Sequence, residues 1–488
     1  MMVPFPRHDK RRQEQAMRYF YGPGVSLAVL LCGSSAWGQK YDGGGSPTFV
    51  PHTLQEALAT AYLTNPTLQQ ARATLRATDE DVPTALSGWR PTITGTTNLS
   101  YYKGVNDYQG TLSRHFSTPG YAAGVSVTQP LYTGGKTTSA THQAVNQVMA
   151  ARAHLISVEQ QVFLQVVDAY VNVITDEQLL QLNINNERVL EQQLRATSER
   201  FHVGEITRTD VAQAEAAYAS ATATRHQSEG TLQTAQATYM QVVGMAPPPN
   251  LIPPQPLALP VKNEKVAAAL AVQNNPDVIE ALFTESARKD SVGVAMAAIM
   301  PKVSATVAYQ RMVNQALNSQ VNENKYAAIT FDVPVYQGGG EYAAVRQAKQ
   351  QMQVAHRGVD VQRRAAAQDA VSNWQNFVAY QAAIASNRAA IKAGTIALDG
   401  VERQAIVGTS TTLEVLQQQA TLLQAQVALV QSLGSMVLSS YNVAAAIGRL
   451  TAADLKLAVP LYDDKAYYNA VKNRLWGVSD YALNQPGR

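Results

Sequence analysis

Two kinds of periodicity divide the chain. From Lys136 to Val203 there is neither glycine nor proline, and apolar residues recur at helical spacing. Val162, Val166, Ala169 and Val173 form one stripe, with Phe163, Val167, Tyr170 and Ile174 beside it. Steps of four and three residues describe a coiled-coil seam, and two adjacent seams belong to a helix with neighbours on both sides. If wholly helical, that run extends about 100 Å at 1.5 Å per residue. Glu341–Val407 carries the same pattern, interrupted only by Gly358, Gly394 and Gly400.

Four shorter stretches alternate with period two: Thr92–Tyr101, Tyr121–Gln129, Lys302–Gln310 and Tyr326–Val333. In the first, Ile93, Gly95, Thr97, Leu99 and Tyr101 share one face and Thr92, Thr94, Thr96, Asn98 and Ser100 the other. This predicts a strand with one apolar or small face and one polar face. Pro91, Pro130, Pro301 and Pro334 stand where helix is expected to become strand, or strand helix. Proline suits such a junction because it lacks the helical donor and disfavours helix in the residue before it. Residues 102–120 and 311–325 are expected to be exposed loops.

These elements are written twice. Asn65-Pro66 and Asn275-Pro276 are each followed, at the same distance, by Pro91 and Pro301. At a constant offset of 204, Pro130-Leu131-Tyr132-Thr133-Gly134-Gly135 answers Pro334-Val335-Tyr336-Gln337-Gly338-Gly339. The same offset relates Val203-Gly204 to Val407-Gly408, Asp210-Val211 to Glu414-Val415, and Gly244 to Gly448. The chain therefore reads as a tandem duplication. Its expected divisions are a first repeat over 53–245, a proline-rich linker over 246–262, which favours an extended crossing, and a second repeat over 263–454. A short extension, 39–52, precedes the repeats, and a tyrosine-rich one, 455–488, follows them. The fold class is mainly α with a small β part: long coiled-coil helical hairpins plus four β-strands per chain.

Composition adds a compartment. Only 15% of the 488 residues are charged, against roughly 25% in an ordinary soluble domain. The formal charge of +3 is concentrated at the start, where Arg7, Lys10, Arg11, Arg12 and Arg18 outnumber Asp9 and Glu14. A basic segment, the apolar run Val25–Cys32 and small residues thereafter predict an export signal over 1–38. The single cysteine, Cys32, lies within it behind the bulky Leu31, which argues against lipid attachment and leaves a mature chain without thiols. The rest is electrically balanced, so no nucleic-acid partner is expected.

No run approaches 18 consecutive apolar residues, which excludes a transmembrane helix but leaves spanning by β-strands open. Four strands cannot close a membrane barrel, and an open edge in lipid leaves backbone groups unpaired. The barrel must then be shared. Two copies supply eight strands around a filled lumen, and three supply twelve around a passage.

Between Thr53 and Thr451 the chain resembles the TolC family of outer-membrane efflux and secretion channels. The resemblance rests on Thr53-Leu54-x-Glu56-Ala57-Leu58, both Asn-Pro sites and both Pro-x-Tyr-x-Gly-Gly junctions. It also rests on Arg200-Phe201-x-Val203-Gly204 leading to Thr209-Asp210-Val211. It implies a homotrimer with one 12-stranded outer-membrane β-barrel and a helical barrel through the periplasm. The implied partners are a periplasmic membrane-fusion adaptor, an inner-membrane pump or ABC exporter, and outer-membrane lipid. By the same resemblance Val203, Gly204, Val407 and Gly408 are adaptor-contacting tips, and the periplasmic gate lies at Asp210, Arg208, Glu414 and Ser410. Rings of Asp210 and Glu414 carboxylates would favour cations; alternatively, Asp210 caps the helix that follows the turn. The chain departs from the family at the second tip, where Ser410 and Ala405 replace the arginine and tyrosine that hold the gate shut, and Arg208, two residues before Asp210, is the candidate for a substitute ion pair.

No catalytic signature, cofactor motif or metal-ligand spacing is expected among the histidines and glycine-rich turns. The alternative function is a periplasmic coiled-coil scaffold or adaptor without a barrel, which predicts a water-soluble protein. The missing lipidation site and the tyrosine-bearing C-terminal extension lean toward secretion-type channels.

Overall fold

A computed structural model describes residues 50–108, 112–314 and 321–478, with the backbone alone for 106–108 and 112–116. The expected export signal and Cys32 lie outside the described residues. Helices α1 (Leu54–Thr64), α2 (Pro66–Asp79) and α3 (Asp81–Leu86) lead into the hairpin β1 (Thr92–Tyr108) and β2 (Leu112–Tyr132). Two long helices follow, α4 (Lys136–His202) and α5 (Arg208–Val243). The second repeat has the same order: α6 (Glu264–Asn274), α7 (Pro276–Met296), β3 (Lys302–Val313), β4 (Val321–Asp332), α8 (Gly340–Ile406) and α9 (Thr412–Ala446). A short helix α10 (Ala466–Val471) lies in the C-terminal segment, and between Val243 and Glu264 no helix or strand forms.

Helices α4 and α8 are each 67 residues long, about 100 Å. Each packs antiparallel to a helix about half its length, α5 with 36 residues and α9 with 35. The missing half is supplied from elsewhere in the same repeat. Asn65 caps α2 through its side-chain oxygen, which accepts from Thr67 N (2.9 Å), while its amide donates to the Val242 carbonyl (2.9 Å) at the end of α5. Thr64 Oγ1 donates to Thr60 and also reaches Val243 O, at 3.4 Å. In the second repeat Asn275 accepts from Asp277 N (2.9 Å) and donates to Ala446 O (3.2 Å) at the end of α9. One amide side chain thus serves the N-terminal donors of one helix and a C-terminal carbonyl of another, so α2 continues the line of α5 and α7 that of α9. Pro66 and Pro276 occupy the first helical position, where the absent N–H would have had no partner. The joint is tight: a Cβ on Gly448 would lie 2.2 Å from the Asn274 carbonyl.

The main core gathers at this joint. Leu58, Leu68, Leu75, Phe163, Val166, Tyr170, Tyr239 and Leu450 are fully buried in one cluster at the middle of α4. Tyr170 also fastens the crossing segments, since its hydroxyl lies within hydrogen-bond reach of the His52 (2.8 Å) and Ile252 (2.9 Å) carbonyls. Burial drives its pKa upward, which keeps that hydroxyl a donor. The second repeat packs a smaller cluster at the corresponding place, with Ala267, Ala271, Ala366 and Ala370 around Val278, Val443 and Ile447. Asn183 donates to Ser228 Oγ (2.7 Å) between α4 and α5, and Asn387 to Ser432 Oγ (3.2 Å) between α8 and α9. These polar rungs are also 204 residues apart.

The strands form one antiparallel sheet, β1-β2-β3-β4. The pairing register places Ile93, Val127, Val307 and Ala327 in one row, and Val125 beside Tyr309. Ile93, Leu99, Tyr101, Val125, Val307, Ile329 and Phe331 are exposed on this apolar face, while Thr94, Thr96, Ser126, Thr306 and Thr330 belong to the other.

Three expectations change. The strands run well beyond the alternating stretches, so most of 102–120 and 311–325 is paired rather than looped. Main-chain pairing needs no apolar face, and Lys103, Asn106, Asp107, Asn322, Glu323 and Asn324 lie past the apolar band where hydropathy no longer alternates. Pro130 is not at the strand–helix boundary but inside β2, at a register shift between Pro130 and Tyr132, where a bulge accommodates the missing donor. Pro91 and Pro301 directly precede β1 and β3, and Pro334 follows β4. Finally, α9 is long and apolar enough to cross a membrane by length and composition, because interspersed Gln and Ser break every run without offsetting Val, Leu and Ala. It lies along α8 and α4.

Asn65→Ala and Asn275→Ala should each cost about 1–2 kcal/mol, the usual loss with an N-cap, plus the bond to the preceding helix. Asn65→Asp keeps the capping acceptor but not the donor, and is expected to melt between Asn65→Ala and wild type. Wild-type thermal stability of Asn65→Asp would mean that the bond to Val242 contributes nothing.

Candidate functional site

The two hairpin ends opposite the sheet are where the sequence concentrates its candidate residues. At the first, α4 closes with Val203 as its C-cap and Gly204 at φ +82°, a left-handed conformation costly for residues with a Cβ. Gly204 N donates to Phe201 O (2.9 Å) and Glu205 N to Arg200 O (3.0 Å). At the second, Val407 and Gly408 (φ +79°) close α8, with Thr409 N donating to Gln404 O (2.9 Å). Val203 and Val407 are each 72% exposed, and Ile406 projects beside the latter. Each tip therefore presents apolar side chains on a rigid reversal.

Asp210 and Glu414 both serve as third residues of capping boxes. Thr207 caps α5: its hydroxyl accepts from Asp210 N (3.4 Å), and Asp210 Oδ2 accepts from Thr207 N (3.0 Å) and Oγ1 (2.6 Å). Thr411 caps α9 in the same way, with Glu414 Oε2 accepting from Thr411 N (3.1 Å) and from the Ser410 hydroxyl. These bonds favour the charged form. The Thr207 hydroxyl and amide hold the Asp210 carboxyl below its usual range, and Ser410 and Thr411 do the same for Glu414.

The helix-capping role weighed for Asp210 is thus present, with Thr207 as the N-cap itself. Among the described residues of a single chain, no ion pair of Arg208 is present. Instead Arg200 pairs with Glu205 across the turn (Nε–Oε2, 3.1 Å), and Asp210 is taken up by Thr207. Ser410 is brought onto Glu414, whereas Ala405 gives only its carbonyl, to Gly408 N (3.3 Å). Thr207 and Thr411 were overlooked by sequence reasoning, although Thr207-x-x-Asp210 and Thr411-x-x-Glu414 match the capping-box spacing.

A family model described as outer membrane efflux protein matches residues 57–245 and 267–449, the two repeats. The outer membrane efflux protein BepC of Brucella suis biovar 1 (strain 1330) is 35% identical over 455 residues, covering 93% of this chain and 96% of that protein. Outer membrane protein TolC of Escherichia coli (strain K12) is 25% identical over 424 residues, 82% of this chain and 83% of that one. Among solved structures, the Campylobacter jejuni CmeC outer membrane channel superposes with a TM-score of 0.70 at 16% identity, covering 86% of this chain and 89% of that one. Duplicated helical hairpins, a four-stranded sheet with one apolar face, and a family match over both repeats lead to one conclusion. The chain belongs to the outer membrane efflux protein family and is an outer-membrane channel of the TolC type, with its helical part in the periplasm.

Proposed function

We propose that three copies of this chain form one channel, closing a 12-stranded barrel in the outer membrane above a shared helical tunnel, and that it carries efflux cargo delivered by an adaptor and an inner-membrane pump. The observation that carries this reading is the sheet. Its edges, β1 and β4, have no second neighbour among the described residues, and its exposed face carries Ile93, Leu99, Val125, Val307, Ile329 and Phe331. In lipid such edges cost several kcal/mol per unpaired group, so closure by further copies is required, and twelve strands leave a lumen that eight do not. Exposed Val354, Val361 and Ile396 along α8 supply apolar surface for the same assembly. The relative named as an efflux protein supports efflux over secretion.

In this assembly the tips, Val203, Gly204, Val407 and Gly408, contact the adaptor. Asp210 and Glu414 line the mouth with two carboxylate rings, Ser410 keeps the Glu414 ring charged, and Arg208 sits at its rim. The capping boxes fix the carboxylates in place, so the rings belong to the folded helix starts and need no partner to order them.

The molar mass of the mature protein in mild detergent, corrected for bound detergent, should equal three copies. A monomer would overturn the shared twelve-stranded barrel.

In planar bilayers, Asp210→Asn with Glu414→Gln should lower cation preference. Because both carboxyls are held below their usual range, the wild-type preference should persist at pH 4.5, where an unassisted glutamate is half protonated. A preference that vanishes by that pH, or survives the double substitution, removes the carboxylate rings from the mechanism.

Val203→Asp leaves the turn backbone alone and should abolish export at normal protein level. Gly204→Val should do the same through the strained left-handed position. Intact transport by Val203→Asp would mean that this tip is not a docking point.

A further inference from the structure

The C-terminal segment follows a directed course that the channel reading does not use. After the end of α9, Ala452 N donates to Glu159 Oε1 (2.7 Å) on α4. Tyr462 N donates to the Tyr62 hydroxyl (3.0 Å), and its ring lies 5.1 Å from the Arg72 guanidinium, which also lies 4.5 Å from the Tyr62 ring and donates to the Tyr62 carbonyl (3.2 Å). Asp464 then meets Arg152 (3.4 Å), beside the buried Asp79, whose carboxyl burial pushes up to about 7 against the pull of Arg152. Next, Tyr467 donates to Glu80 (2.8 Å), and Tyr468 packs on the cluster of Val82, Ala144 and Val148. Last, the Arg474 carbonyl accepts from Arg90 Nη1 (2.8 Å), two residues before β1. The partners on α4 step from 159 to 152 to 148 and 144, toward the helix start at Lys136, so the strap climbs from the joint to the base of the sheet.

There it displays apolar surface. Leu475, Trp476 and Val478 are 74%, 90% and 97% exposed. They are held there by a turn in which Arg474 Nε donates to Trp476 O (3.3 Å) and Gly477 adopts φ +102°, where a Cβ would crowd the Arg474 guanidinium. Exposed Trp89 adjoins Arg90 in the chain, and Ile93, at the start of the sheet's apolar face, follows. The Arg90–Arg474 bond thus brings this apolar tail to the level where sheet gives way to helix, with Lys472 and Arg474 adjacent in the chain. A tryptophan with aliphatic neighbours and adjacent cations is suited to the boundary between acyl chains and phosphate headgroups.

We propose that the Leu475–Val478 turn is a membrane-interface anchor, seated in the phospholipid headgroup layer on the periplasmic side of the outer membrane. It ties the helical strap to the bilayer next to β1. This inference rests on the sheet being the membrane-spanning part of the channel.

The full-length protein, with Trp476 as its sole tryptophan and the other three changed to phenylalanine, is reconstituted into phosphatidylcholine vesicles with brominated acyl chains. Its emission should fall relative to unbrominated vesicles, as expected of an indole at the membrane interface. A second protein carries Phe331→Trp, on the sheet's apolar face, as its sole tryptophan, with all four native ones replaced. Quenching of both probes supports the anchor. Quenching of the Phe331→Trp probe alone overturns it while leaving the membrane-spanning sheet intact, whether the Trp476 indole then reports water or, by blue-shifted emission, the cover of a neighbouring copy. Quenching of neither overturns the anchor together with the spanning sheet.

Discussion

The architecture depends on two asparagine amides. A helix of about 100 Å needs an equally long partner for its whole seam, yet in each repeat the chain provides that partner in two pieces separated by more than a hundred residues. Asn65 and Asn275 join the pieces by satisfying one helix's first N–H groups and another's last carbonyls with a single side chain. This lets the chain leave the helical wall at its middle. Both departures, the proline-rich crossing and the C-terminal strap, start at these joints, and the largest buried side chains collect around the first of them.

The tips show how local structure can prepare a site before any partner arrives. A capping box is a device for starting a helix, and it also fixes a carboxylate at the helix start in its charged form. Glycine at the preceding reversal places that helix start directly after the exposed valine. Turn, cap and charge are thus one unit, written once in each repeat with Asp210 in one copy and Glu414 in the other.

The repeats, the long helices and the existence of four strands could be read from the sequence, because each has a periodicity or a fixed offset that survives substitution. Strand length could not, since pairing beyond the apolar band is a main-chain property without a hydropathy signature. Pro130 misled for a related reason: a bulge accommodates proline within a strand, and only the register reveals the bulge. At the tips, the duplication offset and the family resemblance pointed to Asp210, Glu414 and the glycines, and the structure places the glycines at left-handed reversals. The threonines that organise them were hidden in plain motifs, and the Arg200–Glu205 pair across the reversal was not anticipated. The role of the Asn-Pro sites needed the fold, since their partners, Val242 and Ala446, lie far along the chain.

The two long helices have the same number of residues, 67 in each, and this restricts how the gene can change. Deleting one residue from α4 shortens it by about 1.5 Å and turns everything beyond by about 100°, so its tip no longer lies level with that of α8 and its seam faces away from α5. Only a change that spares the seam, made alike in both repeats and in both helices of each hairpin, keeps the ends flush.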